Sequence, residues 1–274
     1  MSYLAELHLE REPFSTSPDP AFFYRSMEHY TALNRLEIAI RLKRGLSLVL
    51  GDVGTGKTTL SRTLLQSFVG EEDDYLFHLI LDPTFNSEYQ FVAYLARLFG
   101  LNIQESSLLE YKQAIERYLY EMGVQEHKTV VLIIDEGQKL DLSQLEILRT
   151  LLNYETNEFK LLQLVIFSQL ELLDRIQNMK NFMDRISMKY ILRPLDQYET
   201  KELIEFRLQQ AGHVKQNHVF SNEAIRKIYE YTHGYPRQIS RVCHNAMQRI
   251  AVSDNRTITG SLIDQIALQD ELWN

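Results

Sequence analysis

The sequence has little cysteine, no long apolar run and no excess of positive charge. Its single cysteine, Cys243, excludes an internal disulfide and is typical of a protein from a reducing compartment. No segment approaches the roughly 18 uninterrupted apolar residues that span a bilayer, and the charged N-terminus lacks the apolar core of a signal peptide. Lysine and arginine number 29 against 37 acidic residues, a net charge of −8, which disfavours a dedicated duplex-DNA binder. We therefore expect a soluble cytoplasmic protein without a membrane span, which reaches the inner membrane, if at all, through a partner.

Short apolar runs alternate with helical patterns over the first two thirds of the chain. Strands are predicted at 46–50, 76–81, 130–134, 162–167 and 188–192. Strands separated by helices indicate a parallel sheet that is covered on both faces. After Pro194 the pattern is helical, with segments at about 197–211, 221–232, 236–252 and 259–269. The predicted fold class is therefore α/β, with a five-stranded parallel sheet in residues 1–195 and a small all-helical lid domain in residues 196–274.

A glycine-rich loop lies between the first predicted strand and the helix that follows it. From Gly51 to Thr58 it matches the phosphate-loop pattern G-x-x-x-x-G-K-[ST] in full. Glycines let the backbone point its N–H groups at phosphates, and the helix N-terminus adds partial positive charge. We expect Lys57 to reach the β- and γ-phosphates of ATP, and the Thr58 hydroxyl to bind Mg²⁺. The predicted phosphate-binding residues of the loop are Gly51, Asp52, Val53, Gly54, Thr55, Gly56, Lys57, Thr58 and Thr59.

Two carboxylates, Asp135 and Glu136, directly follow the apolar run 130–134. Ligands of nucleotide-binding sheets lie beyond the carboxyl ends of the strands. Asp135 is then placed to bind ATP-bound Mg²⁺, and Glu136 is the candidate base that deprotonates the attacking water. The alternative, an acidic turn that merely opens a loop, is disfavoured by the phosphate loop upstream.

These motifs, the helical tail and the element Gly234-Tyr235-Pro236-Arg237 together resemble the AAA+ superfamily. A closer resemblance, to the ExeA/GspA-like ATPases of bacterial envelope secretion systems, rests on EPFSTSPDPAFFY, GDVGTGKTTL, LIIDEGQKL, VIFSQLEL and GYPRQISRVCHNA, in that order. It implies a Mg²⁺-dependent ATP hydrolase that works as a homo-oligomeric ring or filament with an envelope or secretion partner. The TniB/TnsC-like ATPases of transposons share the same core, and this similarity implies the alternative of an ATP-gated oligomeric scaffold on DNA.

The resemblance also implies a role for three residues outside the two motifs. The fourth strand would lie between the first and third, and Gln169 just past its end would sense the γ-phosphate, with Ser168 as the substitute candidate. Arg237 would reach the γ-phosphate of its own subunit. Arg185 would act as an arginine finger on the ATP of a neighbouring subunit. Arg175 and Arg193 compete for the finger role.

The alternatives for these three residues are a solvent-exposed turn glutamine, a surface arginine, and a local ion pair of Arg185 with Asp184 or Glu171. Four aromatic residues of the N-terminal segment would cover the adenine or else pack in the core: Phe14, Phe22, Phe23 and Tyr24. The longer members of the secretion family continue into a membrane span and a peptidoglycan-binding domain. Because this sequence ends at Asn274, we expect a stand-alone ATPase module.

Overall fold

The structure is a computed structural model that describes residue 4, residues 9–15, residue 17 and residues 19–103, 107–213, 219–250 and 257–271. The chain divides into two compact units. The sheet unit comprises His29–Asp52 and Leu60–Leu192, and the helical unit comprises Met1–Glu28, Val53–Thr59 and Arg193–Asn274. None of the helices in the described part of the chain combines the length and the apolar character that crossing a bilayer needs.

The sheet unit contains a five-stranded parallel sheet, as predicted. Its strands are β1 Leu46–Leu50, β2 Tyr75–Ile80, β3 Thr129–Ile134, β4 Leu162–Ser168 and β5 Ile186–Ile191. The spatial order is β2-β3-β4-β1-β5, and every neighbouring pair runs parallel. The fourth strand therefore lies between the first and the third, which confirms the expected order.

The position of each strand in the sheet explains its sequence pattern. All residues of the three central strands β1, β3 and β4 are buried, because helices cover both faces. The edge strand β5, in contrast, alternates between half-buried and exposed residues. Continuous apolar runs such as Val130–Ile134 thus belong to the centre of the sheet, and the mixed sequence ISMKYI belongs to its edge.

Helices precede β1 and connect the strands. They are α1 Met27–Arg41, α2 Lys57–Gln66, α3 Glu88–Leu98, α4 Leu108–Tyr120, α5 Leu142–Leu151, α6 Glu171–Ile176 and α7 Lys180–Met183. Ser107 with Glu110 and Asp141 with Gln144 form reciprocal capping boxes that satisfy the first N–H groups of α4 and α5. The two short helices α6 and α7 lie between β4 and β5.

The helical unit contains α8 Gln197–Gln210, α9 Asn222–Thr232, α10 Pro236–Ile250 and α11 Gly260–Glu271. These four helices correspond to the four predicted segments. Gly234, in the turn between α9 and α10, has φ +79°, and an added Cβ there would lie 1.8 Å from the carbonyl oxygen of Leu195. Glycine is therefore required in this turn, which places the start of α10 and with it Arg237.

The described part of the N-terminal segment packs with the helical unit. Phe14 is buried and meets Phe220 edge to face, with ring centroids 5.9 Å apart. The guanidinium of Arg207 on α8 donates to the carbonyl oxygens of Pro13 and Ser15, at 3.5 and 3.2 Å. These contacts come from residues almost 200 positions apart, which local sequence patterns do not reveal.

Two of the four N-terminal aromatics, Phe14 and Phe22, are core residues of the helical unit. Their burial agrees with the alternative of core packing. Phe23 and Tyr24 are only half-buried, and Tyr24 lies 6.0 Å from the ring of Phe206. Covering of the adenine by this segment stays a prediction.

Candidate nucleotide-binding site

The glycine-rich loop leaves β1 at Gly51 and enters α2 at Lys57, as the motif predicts. Gly54 and Gly56 have φ values of +86° and +96°, in the left-handed region that glycine adopts without strain. The curled backbone of such a loop directs successive N–H groups toward one concave side, where phosphate oxygens bind. Lys57, the first residue of α2, is buried and only 7% exposed.

Arg237 lies beside this loop within the helical unit. Its backbone N–H, in the first turn of α10, donates to the carbonyl oxygen of Gly54 at 3.3 Å. A Cβ added to Gly54 would approach the Arg237 Cβ to 3.0 Å. The start of α10 is thus in contact with the phosphate loop. Contact of the Arg237 side chain with a γ-phosphate stays a prediction.

The acidic pair lies at the carboxyl end of β3, in the centre of the sheet. Asp135 is 2% exposed, and its Oδ1 accepts a hydrogen bond from the N–H of Glu136 at 3.0 Å. Glu136 has φ +56° and ψ +38°, the left-handed conformation, which costs a residue with a Cβ roughly 1–2 kcal/mol. Such strain persists where the surrounding structure imposes it, and it is frequent at functional sites.

The next residues form a short 3-10 turn, Gly137–Lys139, that lies against β4. A Cβ on Gly137 would be 2.4 Å from the Cγ2 of Ile166, so only glycine allows this approach. On the other side of the turn, Arg175 of α6 donates to the carbonyl oxygens of Gln138 and Leu140, at 2.8 and 3.2 Å. The turn is therefore held both by close packing and by a charged donor.

The side-chain amide of Gln138 joins Glu136 to the end of β4. Its Nε2 donates to Glu136 Oε2 at 2.6 Å. Its Oε1 accepts from Ser168 Oγ at 3.3 Å and from the backbone N–H of Gln169 at 3.1 Å. Ser168 in turn accepts, through its carbonyl oxygen, the N–H of Gly51 at 3.1 Å, so β4 is also bonded to the start of the phosphate loop.

Of these residues, sequence reasoning identified Glu136, Gln169 and Ser168 but missed Gln138. The sequence signal was present as the fourth letter of DEGQ. It could not be interpreted, because the partners of Gln138 at positions 168 and 169 are about 30 residues away along the chain.

Arg185 lies at the opposite end of the sheet. It directly precedes β5, whose first residue, Ile186, pairs with Leu46 at the amino end of β1. Within the described part of the chain, Arg185 forms no ion pair with Asp184 or Glu171, the predicted alternative. Instead, Arg185 is near Lys160, whose pKa is lowered first by burial and then by the Arg185 charge. Two cations thus lie close together at this end.

The competing arginines have different surroundings. The guanidinium of Arg175 donates to two carbonyl oxygens of the turn after β3. This contact is structural and holds the side chain in place. Arg193 is exposed and follows β5 at the carboxyl end of the sheet.

Taken together, the parallel sheet, the complete phosphate loop after β1 and the buried carboxylate after β3 define a P-loop nucleoside triphosphatase. More narrowly, residues 40–176, half of the chain, match the AAA domain family, and the chain belongs to that family. It is therefore a P-loop ATPase, as the motifs indicated.

Comparison with sequences and solved structures supports this assignment. The chain is 34% identical over 241 residues to general secretion pathway protein A of Aeromonas hydrophila, which confirms the resemblance to the ExeA/GspA-like family. The match covers 87% of this chain but 43% of the relative, so the chain spans less than half of the relative's length.

Two groups of solved structures share the fold at low sequence identity. The structure of Drosophila ORC bound to DNA matches with a TM-score of 0.71 and 18% identity, over 97% of this chain and 66% of that chain. The Aeropyrum pernix ORC2 protein, solved as ADPNP-ADP complexes, matches with a TM-score of 0.66 and 15% identity, over 94% and 71% of the two chains. A Thermotoga maritima RuvB mutant matches with a TM-score of 0.57 and 15% identity, over 86% and 67%. At these identities the likeness shows a shared fold.

Proposed function

We propose that this chain binds ATP together with Mg²⁺ and couples hydrolysis to conformational change or assembly in envelope secretion or export. The observation that carries the proposal is the arrangement at the carboxyl end of the sheet. There Asp135 and Glu136 follow β3, Ser168 and Gln169 follow the adjacent β4, and the phosphate loop follows β1. Three neighbouring strands thus end in groups suited to phosphate, metal and water.

ATP binding is the first step of the proposal. The N–H groups of the loop from Gly51 to Thr59 bind the phosphates, and Lys57 neutralises their charge. The Thr58 hydroxyl and the Asp135 carboxylate are hard oxygen donors of the kind that Mg²⁺ prefers. The fit is supported by the left-handed Gly54 and Gly56, and by the burial of Asp135 at the end of a central strand. When bound, Mg²⁺ would neutralise charge that develops on the phosphates.

Hydrolysis is the second step. The Glu136 carboxylate orients the attacking water and accepts its proton. Gln169 and Arg237 contact the γ-phosphate, one from the end of β4 and the other from the start of α10. The backbone hydrogen bond of Arg237 to Gly54 supports this role, because it places the start of α10 beside the phosphate loop.

Replacement of Glu136 by glutamine tests the hydrolytic role. Glu136→Gln should bind ATP within about three-fold of the unmodified protein, because the amide keeps the shape of the side chain. Its turnover should fall by roughly 10²–10⁴-fold, the usual contribution of a general base. Calorimetry measures binding and phosphate release measures turnover. Glu230→Gln, on the exposed surface of α9, is the matched control. Turnover of Glu136→Gln within a few-fold of the unmodified protein would exclude Glu136 as the base.

Arg185 supports an oligomer in which each active site is completed by a neighbour. Residues Leu46 to Leu50 of β1 span about 13 Å at about 3.3 Å per residue. Arg185 lies at the amino end of this span, and the phosphate loop begins at its carboxyl end. An arginine at that position is poorly placed for its own subunit's phosphates. It is free of the two local ion pairs proposed as its alternative, and we propose that it acts on the ATP of an adjacent subunit in a ring or filament.

The secretion role rests on the relationship to general secretion pathway protein A. A second candidate, a DNA-bound scaffold gated by ATP, is favoured by one observation. Lys43, Arg44 and Lys160 line one surface depression at the amino end of the sheet. However, Glu155 and Glu158 line the same depression, and Glu155 is paired with Lys160. One of the three cations is therefore already paired, and two carboxylates lie beside them, which weakens the DNA candidate.

Measurement of DNA binding separates the two candidates. We expect no submicromolar binding of a long duplex at physiological salt, even with ATP, because phosphate contacts supply most non-specific affinity and the net charge is −8. Assembly would repeat one basic patch per subunit, so the assembled, ATP-bound form must be included. Fluorescence anisotropy over a salt titration gives the result. Submicromolar binding that appears only with ATP, has a steep salt dependence and is lost in Arg44→Glu would instead support the scaffold.

A further inference from the structure

The amide of Gln138 has a single orientation that its partners allow. The backbone N–H of Gln169 can only donate, so the group that faces it must be the carbonyl oxygen Oε1. The other end of the amide, Nε2, then faces the Glu136 carboxylate, which accepts its hydrogen bond at 2.6 Å. A flipped amide would oppose N–H to N–H on one side and oxygen to carboxylate on the other. The bond to Glu136 is thus determined by the end of β4.

The position of Gln138 is also held by a hydrogen bond to its backbone and by the packing of its neighbour Gly137. Gln138 is 8% exposed, and its backbone carbonyl accepts from Arg175 at 2.8 Å. The preceding Gly137 lies against Ile166, where no side chain fits. Gln138 is therefore a buried, preorganised donor, and not a surface side chain that meets Glu136 by chance.

We propose that Gln138 is the positioning residue for Glu136. It holds Oε2 of the carboxylate, so that Oε1 is presented to the attacking water, and it ties the carboxylate to the strand end that carries Ser168 and Gln169. A contact of the γ-phosphate with Gln169 is thereby coupled to the placement of the base through one amide group. This inference rests on the proposed role of Glu136 in hydrolysis.

Two variants of Gln138 test the two ends of its amide. Gln138→Ala removes both. Gln138→Glu keeps an oxygen acceptor for the Gln169 N–H but replaces the donor to Glu136 with a second carboxylate, which repels it. Both variants should bind ATP and show KM within a few-fold of the unmodified protein, while kcat falls roughly 10–100-fold, since small misplacements of reacting groups have effects of this size. Gln138→Glu should be the slower of the two.

Gln163→Ala is the third variant and the matched control. Gln163 is also a buried glutamine of β4, and its amide accepts from the Gly45 N–H and donates to the Lys160 carbonyl, both at 2.8 Å. It lies at the amino end of the sheet, away from Glu136. Gln163→Ala should lower thermal stability, because two buried hydrogen bonds are lost. Its kcat should stay within a few-fold of the unmodified protein.

A double-variant cycle gives the decisive result. In the Glu136→Gln background, Gln138→Ala should change the residual turnover by less than about three-fold, because the role of Gln138 is exerted through Glu136. A full additional loss in that background, or an equal loss of kcat in Gln163→Ala, would show a merely structural role and overturn the inference.

Failure of this inference is distinguishable from failure of the proposed function. If Glu136→Gln turns over ATP like the unmodified protein, the proposed role of Glu136 is wrong. If Glu136→Gln is inactive while Gln138→Ala and Gln138→Glu keep full kcat, only the positioning role of Gln138 is wrong. If Gln138→Ala does not fold, the kcat of Gln138→Glu, which is nearly isosteric with the unmodified protein, is compared instead.

Discussion

Arg185→Ala is expected to lower ATP turnover by roughly 10³–10⁵-fold, the contribution of arginine fingers in well-studied GTPases, while ATP affinity stays within a few-fold. The loss is large because the guanidinium neutralises charge that develops on the transferring phosphoryl group. Affinity is retained because Arg185 lies at the amino end of the sheet, away from the phosphate loop of its own subunit. Phosphate release and calorimetry on the same samples measure the two quantities.

Mixing two inactive variants tests whether Arg185 acts between subunits. Arg185→Ala has an intact Glu136, and Glu136→Gln has an intact Arg185. In a mixed oligomer some interfaces combine an intact base with an intact arginine of the neighbour, so activity should reappear. No recovery in an oligomer shown to contain both variants would exclude action in trans.

The same assay distinguishes Arg185 from its competitors. Mixing Arg193→Ala or Arg175→Ala with Glu136→Gln should not restore ATP turnover as mixing with Arg185→Ala does. Arg175 is bound to the turn after β3, and we assign the finger role to Arg185. Arg226→Ala, in an exposed pair with Glu230, is the control for removal of an arginine charge. Recovery with Arg193→Ala in place of Arg185→Ala would transfer the finger role to Arg193.

Lys57→Ala is expected to abolish measurable ATP binding and, with it, all turnover. The rest of the phosphate loop offers backbone N–H groups and hydroxyls but no other cation to a ligand with several negative charges. The side chain is 7% exposed, so a lost ammonium is not readily replaced by a solvent cation. Calorimetric titration with ATP in the presence of Mg²⁺ gives the affinity directly.

Two controls support the interpretation of this loss. Lys201→Ala removes the same charge from an exposed pair on α8 and should leave ATP affinity unchanged. Lys57→Arg keeps the charge with a bulkier head group, so it separates charge from fit. ATP affinity of Lys57→Ala near that of the unmodified protein, with the fold intact, would remove the loop from the binding site.

The sheet and its helices were predictable from the sequence because their signals are local. The run Val130–Ile134 and the loop Gly51–Thr58 each depend on neighbouring residues, whose backbone preferences and burial need no distant partner. Capping boxes such as Ser107 with Glu110 likewise operate within one turn. Predicted strand and helix limits accordingly differ from the structure by a few residues.

The candidate site was predictable only in part. The phosphate loop and Asp135 with Glu136 are continuous motifs, whereas Gln169, Arg185 and Arg237 could be named only through resemblance to a known family. Gln138 was missed, although it stands two residues from Glu136, because its significance comes from contacts with Ser168 and Gln169.

By itself, the sequence determined the fold class and the nucleotide chemistry, because periodicity and motif spacing express local preferences of the chain, and the family followed from its resemblance to known sequences. Tertiary structure alone decided that Phe14 and Phe22 belong to the helical core, that Gln138 bonds the base to β4, and that Arg185 lies at the far end of the sheet. Each of these outcomes depends on contacts between residues far apart in the chain. Such contacts are selected by the packing of whole elements, which no short stretch of sequence encodes.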